Sequence, residues 1–153
     1  MAKMKLGKFV IPNPFGPYEE ARFTTYLIKS WHQGLTPSVN TPEYVRDNIH
    51  ASLLAIAYRS FAEGLTHGRG FEKFNPSFYQ ETQSAFTERF AREMRSRLSL
   101  PCHFEIKKQT DFIEPLSRVN MNPLDVGRFN WKEEHAWDEL AEYYAKTILK
   151  EEI

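Results

Sequence analysis

The sequence predicts an α/β fold, more narrowly an α+β fragment of about three short strands and four helices cut from a larger open sheet. Apolar residues recur at helical spacing in four segments and read as strands in three others, in the order β–loop–α–loop–α–β–α–β–loop–α. Three short strands are few for an autonomous sheet. The first strand stands alone and exits at once into a Pro/Gly loop, as the last strands of a larger α/β sheet do. The expectation is one partial domain over residues 1–153, with an N-terminal half missing.

Leu6 to Ile11 reads as a short strand bounded by proline, and Asn13 to Tyr18 as a loop with two prolines and a glycine. Phe23, Tyr26, Leu27 and Trp31 share a helical face, and Gly34 marks its stop. Thr36 to Val45 holds Pro37 and Pro42 and reads as extended loop or edge strand. Asp47 is placed to cap the next helix, whose face carries Ile49, Leu53, Ile56 and Ala57 and which ends near Gly64. Thr66 to Gly70 is a surface turn, and Phe71 to Asn75 a strand. A helix from Thr82 to Leu98 buries Phe86, Phe90 and Met94, and Pro101 closes it. His103 to Lys107 alternates as a half-buried strand, and Asp111 to Asp125 is irregular. The last helix runs from Trp131 to Leu149, with Asn130 and Glu133 suited to a capping box.

Lys plus Arg equals Asp plus Glu at 20 each, so the bulk charge for nucleic-acid binding is absent, although a local phosphate pocket is not excluded by it. Cys102 is the single cysteine, which removes any intrachain disulfide and points to a reduced, cytoplasmic setting. Lys3, Lys5 and Lys8 precede no long apolar run, and Pro12 and Pro14 interrupt the segment, so neither a signal peptide nor a membrane span is expected. Aromatic residues make up 14%, a fraction that implies core or interface; exposed rings would mark a partner surface.

Several chemistries lack their motif. Gly64, Gly68 and Gly70 follow a helix and precede a strand, the wrong context for a phosphate cradle. The five histidines form no i, i+4 pair, and Cys102-His103 alone do not make a metal site. There is no Gly-x-Ser-x-Gly elbow. No Tyr-x-x-x-Lys occurs: Tyr143 and Tyr144 are followed at the fourth position by Thr147 and Ile148.

Three segments carry a resemblance: VIPNPFGPYEE at 10–20, YVRDNIHASLLA at 44–55, and the tail, with FNPSFYQETQSAFTERFAREM at 74–94, EPLSRVNMNP at 114–123 and NWKEEHAWDELAEYY at 130–144. In this order they resemble the later part of extended short-chain dehydrogenases/reductases of the NAD(P)-dependent sugar-nucleotide epimerase/dehydratase type, from about Leu6 to Tyr144. Asn13, Gly16 and Pro17 match the family's Asn, Gly and Pro after its sixth strand, and Arg46, Asp47, Ile49 and His50 match its Arg-Asp-x-Ile-His run. Asn48 departs from the family's usual aromatic, and Ser52 from its usual Asp.

The resemblance implies a nucleotide-sugar-like ligand held by Asn13, Arg46, Asn48 and Arg118. Arg suits the diphosphate because its planar fork binds two phosphate oxygens. The plainer alternatives are a turn for Asn13, an ion pair for Arg46, and cap and core roles for Asp47 and His50. In the family NAD(P) takes a hydride from the sugar while a Tyr beside a Lys removes the hydroxyl proton. Those catalytic and cofactor motifs are absent from this sequence, so the expectation is no catalytic residue and no NAD or NADP bound by this chain alone. Partners implied are an N-terminal Rossmann half or a second copy. The different-class alternative is a non-catalytic binding or oligomerisation module of the same fold; an unrelated α+β adaptor is a third.

Overall fold

The computed structural model describes residues 4–65 and 70–150 of the chain. The turn expected from 66 to 70 falls, but for Gly70, outside the described residues. The elements in order are β1 (Lys5–Phe9), β2 (Asn13–Phe15), α1 (Phe23–His32), β3 (Ser38–Val39), β4 (Val45–His50), α2 (Ala51–Gly64), β5 (Gly70–Phe74), β6 (Pro76–Ser77), β7 (Tyr79–Thr82), α3 (Gln83–Leu98), β8 (Glu105–Ile106), β9 (Ser117–Arg118), β10 (Asn122–Pro123), a 3-10 turn (Val126–Arg128) and α4 (Glu133–Thr147). The four helices are those the periodicity predicts. The strands are more numerous than the expected three, because most are two or three residues long and too short to show a period of two.

β4 organises the sheet. One of its edges pairs antiparallel with β7, from Val45↔Thr82 to Asn48↔Tyr79. Its other edge takes β9 in parallel at Val45 and Arg46, then β2 in parallel at Asn48 to His50. Three smaller parallel pairs surround it: β1 with β5, β3 with β8, and β10 with β6. The core lies where α1, α3 and α4 meet β2 and β7, through Leu27, Ile28, Trp31, Phe86, Phe90, Met94, Trp137, Leu140 and Tyr144. A second aromatic group, Phe9, Tyr58, Phe61 and Phe74, seats α2 on the β1–β5 pair.

Two expected caps are corrected. Asp47 does not cap a helix: residues 45–50 are strand, and α2 starts at Ala51 with His50 at the N-cap position and no side-chain cap bond. The strand passes into the helix without a Pro, Gly or polar break, so the helical period of 49–57 hid the junction. The buried Asp47 carboxylate instead accepts from the Phe78 amide at 2.9 Å and the Asn120 amide at 3.0 Å. Asn120 in turn donates to the Val10 and Pro76 carbonyls, so one carboxylate joins four chain segments. Nor do Asn130 and Glu133 form a capping box; the N-cap of α4 is Lys132, without a side-chain bond.

Glu133 has a different partner. The Tyr79 hydroxyl donates to it in a short hydrogen bond, and His50 Nε2 lies 3.2 Å from the same hydroxyl. This chain docks the first turn of α4 onto β4 and β7. Arg89 lies over the Tyr79 ring, 4.4 Å from its centre, and forms a two-pronged pair with Glu81. Burial, then the Glu133 carboxylate, pushes the Tyr79 phenol well above its ordinary range. Burial, with the Arg89 charge adding to it, lowers the His50 pKa from 6.5 to about 3. Neutral His50, with its proton on Nε2, completes the chain as a donor to Tyr79.

Two predictions follow from these contacts. Asp47→Ala leaves two amides without their charged acceptor and costs about 3 kcal/mol in chemical denaturation, whereas loss of a mere helix cap costs about 1 kcal/mol. His50 binds a proton more readily in the unfolded chain than in the folded one, so its contribution is complete above pH 6.5 and is lost as pH falls towards 3. Between pH 6 and pH 5 this removes about 1 kcal/mol. His50→Gln flattens that part of the pH–stability curve; an unchanged slope assigns the acid loss to other groups.

Candidate functional site

A strand alternates its side chains, and the even positions from 44 to 48, ahead of the turn into α2 at His50, face one way. Tyr44, Arg46 and Asn48 therefore wall a common cleft of about 580 Å³. Asn13, Pro14 and Phe15 of β2 continue that wall, and Asn13 stands directly across from Asn48 in the parallel register. The loop before α1 adds Glu19 and Arg22, and the start of α3 adds Gln83 and Phe86. Asp111, Ile113 and Glu114 close the far side.

Arg46 is 8% exposed and fully engaged. Its Nη1 donates to the Val45 carbonyl at 2.8 Å and lies within 3.3 Å of the Pro115 and Leu116 carbonyls; its Nη2 donates to Glu114 Oε2 at 3.0 Å. The Tyr44 ring lies beneath the guanidinium, 4.5 Å away. Glu114 thus occupies the anion position of the one buried arginine in the cleft wall. With Glu19 and Asp111 also present, the cleft carries three carboxylates against Arg22 and Arg46.

Glu19 is half-buried. Its Oε1 accepts from Thr24 Oγ1 at 2.7 Å and from the Tyr144 hydroxyl at 3.5 Å. Burial raises its carboxyl pKa, against the opposing pull of Thr24, the Gly16 amide and the Arg22 charge.

Of the four residues expected to bind a ligand, the structure brings three together: Asn13, Arg46 and Asn48. Arg118 is the register partner of Arg46 on β9, but its side chain is 61% exposed, outside the cleft wall and 3.9 Å from Glu114. Asp47 and His50 point away into buried networks and line no part of the cleft. Glu19, Arg22 and Glu114 carry no motif. The sole trace in the sequence is that Glu19 falls within the segment 10–20 and Glu114 opens the segment 114–123.

The strand-to-helix junctions do not fit a dinucleotide. His50–Ala51 and Thr82–Gln83 contain no glycine, and the β2–α1 connection has one glycine and two glutamates, where a pyrophosphate needs bare backbone and no anion. Among the described residues no three His, Cys, Asp or Glu side chains gather as a metal site would require. No helix among them is long and apolar enough to cross a membrane.

No protein-family model matches the chain, and no curated protein matches it in sequence. Solved structures do match in fold. The UDP-N-acetylglucosamine 4-epimerase of Methanobrevibacter ruminantium, in complex with UDP-N-acetylmuramic acid, aligns with 95% of this chain and 47% of its own at 13% identity and a TM-score of 0.61. The UDP-glucose 4-epimerase of Thermotoga maritima with UDP-glucose covers 95% and 47% at 15% identity and 0.59. The UDP-glucose 4-epimerase of Stenotrophomonas maltophila, with bound NAD and formylated UDP-arabinopyranose, covers 94% and 47% at 17% identity and 0.57. The chain spans about half the length of these proteins and shares, over that half, the α/β fold of these UDP-sugar 4-epimerases.

Proposed function

We propose that this chain is the substrate-binding portion of a nucleotide-sugar epimerase or dehydratase, and that the cleft on β4 holds the nucleotide sugar. The observation that carries this reading is the convergence of Asn13, Arg46 and Asn48 on one cleft wall, across the adjacent strands β2 and β4. The similar structures hold UDP-sugars, which agrees with it. The diphosphate is bound by exchange: its oxygens replace the Glu114 carboxylate on Arg46, with Asn13 beside them and Arg118 at the rim. The chemistry of hydride transfer belongs to an NAD(P) site, for which the described strand-to-helix junctions are not suited.

A second reading, a binding or oligomerisation module of the same fold, is favoured by a separate observation. Leu6 and Phe71 are register partners in the β1–β5 pair and are 60% and 62% exposed on the face opposite α2. Parallel strands are otherwise buried on both faces.

Calorimetric titration with UDP tests the first reading. Arg46→Lys keeps the charge but loses the fork, and binding weakens about tenfold. Glu114→Gln removes the competing carboxylate; that pair is partly solvated, so affinity rises no more than about fivefold. Equal affinity in wild type and both variants returns Arg46 to a structural ion pair. Titration with NAD or NADP gives no heat of binding. Sedimentation tests the second reading: it predicts a dimer or larger species, and Leu6→Ser with Phe71→Ser gives monomer. A wild-type monomer at high concentration rejects it.

A further inference from the structure

Among the described residues three buried side-chain polar atoms have no hydrogen-bond partner: Glu19 Oε2, Asn48 Nδ2 and Asn75 Oδ1. Two of the three belong to residues that wall the same cleft. A buried polar atom without a partner costs about 1–3 kcal/mol, so two in one cleft mark a place that a ligand completes.

The two atoms are opposite in sense. Glu19 Oε2 is an acceptor. Both side-chain donors, Thr24 and Tyr144, address Oε1, and although the Gly16 amide lies close enough to lower the carboxyl pKa, Oε2 has no hydrogen bond of normal geometry. Tyr18, held at a φ of +65°, turns the chain so that Glu19 meets the first turn of α1. Asn48 Nδ2 is a donor, fixed on β4 between Asn13 on one side and Tyr79 on the other. A phosphate satisfies Asn48 but is repelled by Glu19, and a cation satisfies Glu19 but is opposed by the Asn48 N–H. A hydroxyl serves both, since it donates to a carboxylate and accepts from an amide. It also serves either orientation of the Asn48 amide. Phe15, Phe23 and Phe86 line the same cleft and offer apolar surface to the C–H face of a ring.

From this complementarity we infer that Glu19 and Asn48 form a hydroxyl-recognising subsite for the sugar ring, separate from the phosphate contact at Arg46. The inference rests on the reading of the cleft as a nucleotide-sugar site. Both residues line the cleft, and neither orphan atom has a hydrogen bond of its own to give up to a ligand.

The test compares UDP-glucose, UDP and free glucose on wild type, Glu19→Gln and Asn48→Ala. Glu19→Gln can keep the Oε1 contacts to Thr24 and Tyr144 and reverses the sense at the orphan oxygen, so it tests recognition with little risk to folding; melting temperatures verify this. UDP-glucose binding weakens on the order of tenfold in each variant while UDP binding is unchanged. Free glucose shifts the Asn48 side-chain amide resonance in wild type and not in Glu19→Gln. Equal weakening of UDP and UDP-glucose overturns the subsite, since the residues then act on the phosphate end or on cleft shape. No change in either ligand overturns it as well, leaving the orphan atoms to water. If wild type binds neither nucleotide, the nucleotide-sugar reading fails, and the glucose shift alone decides the subsite: present, it stands; absent, it falls.

Discussion

The buried carboxylate of Asp47 is the constraint on which the rest of the structure depends. It faces away from the cleft, yet its two bonds fix β4 to the β6–β7 link at Phe78 and to the segment carrying Asn120. Through Asn120 they also fix Val10, just ahead of β2, and Pro76. An anion buried this way is held by hydrogen bonds to backbone donors that would otherwise be orphaned in their turn. Because β4 alternates, the strand whose odd positions hold the fold presents its even positions, Arg46 and Asn48, to the cleft. Fold and site are two faces of one six-residue strand.

The electrostatics of the cleft are those of exchange and not of excess. Arg46 already has a carboxylate, backbone carbonyls and an aromatic ring. Such a group is held in place, and in the proposed site an anionic ligand would take over the position of Glu114 with little loss of side-chain freedom. Glu114, partly solvated, is the member that gives way most readily. Glu19 and Asn48 line the same cleft and each keeps one unpartnered polar atom, so Arg46 is satisfied where these two are not.

The β1–β5 pair follows another logic. Its inner face is sealed by Phe61 and Tyr58 of α2, while Leu6 and Phe71 stand exposed on the outer face. The high aromatic content therefore divides into a core around Phe86, Phe90 and Trp137, a sheet-to-helix layer, and residues facing solvent. The cleft and this outer face belong to separate sheets, one built on β4 and the other on the β1–β5 pair.

The sequence by itself determined the four helices, because periods of 3.6 extend over ten or more residues in each and bury Leu27, Leu53, Phe90 and Leu140 as expected. Matched motifs singled out Asn13 and Arg46, and Asn48 stood out as a departure within the second motif; the structure places all three on one cleft wall. It misplaced the start of α2, where a strand runs into a helix with no breaking residue. It could not display two-residue strands such as β9 and β10, which exist only because a distant partner satisfies their backbone. The roles of Asp47, Glu114, Glu133 and Glu19 were decided by tertiary structure alone. Each depends on which donors another segment brings to a carboxylate, and on whether one oxygen is left over. Apart from the Thr24 contact of Glu19, five residues away, those are properties of contacts across 31 to 125 residues of chain, which no local pattern encodes.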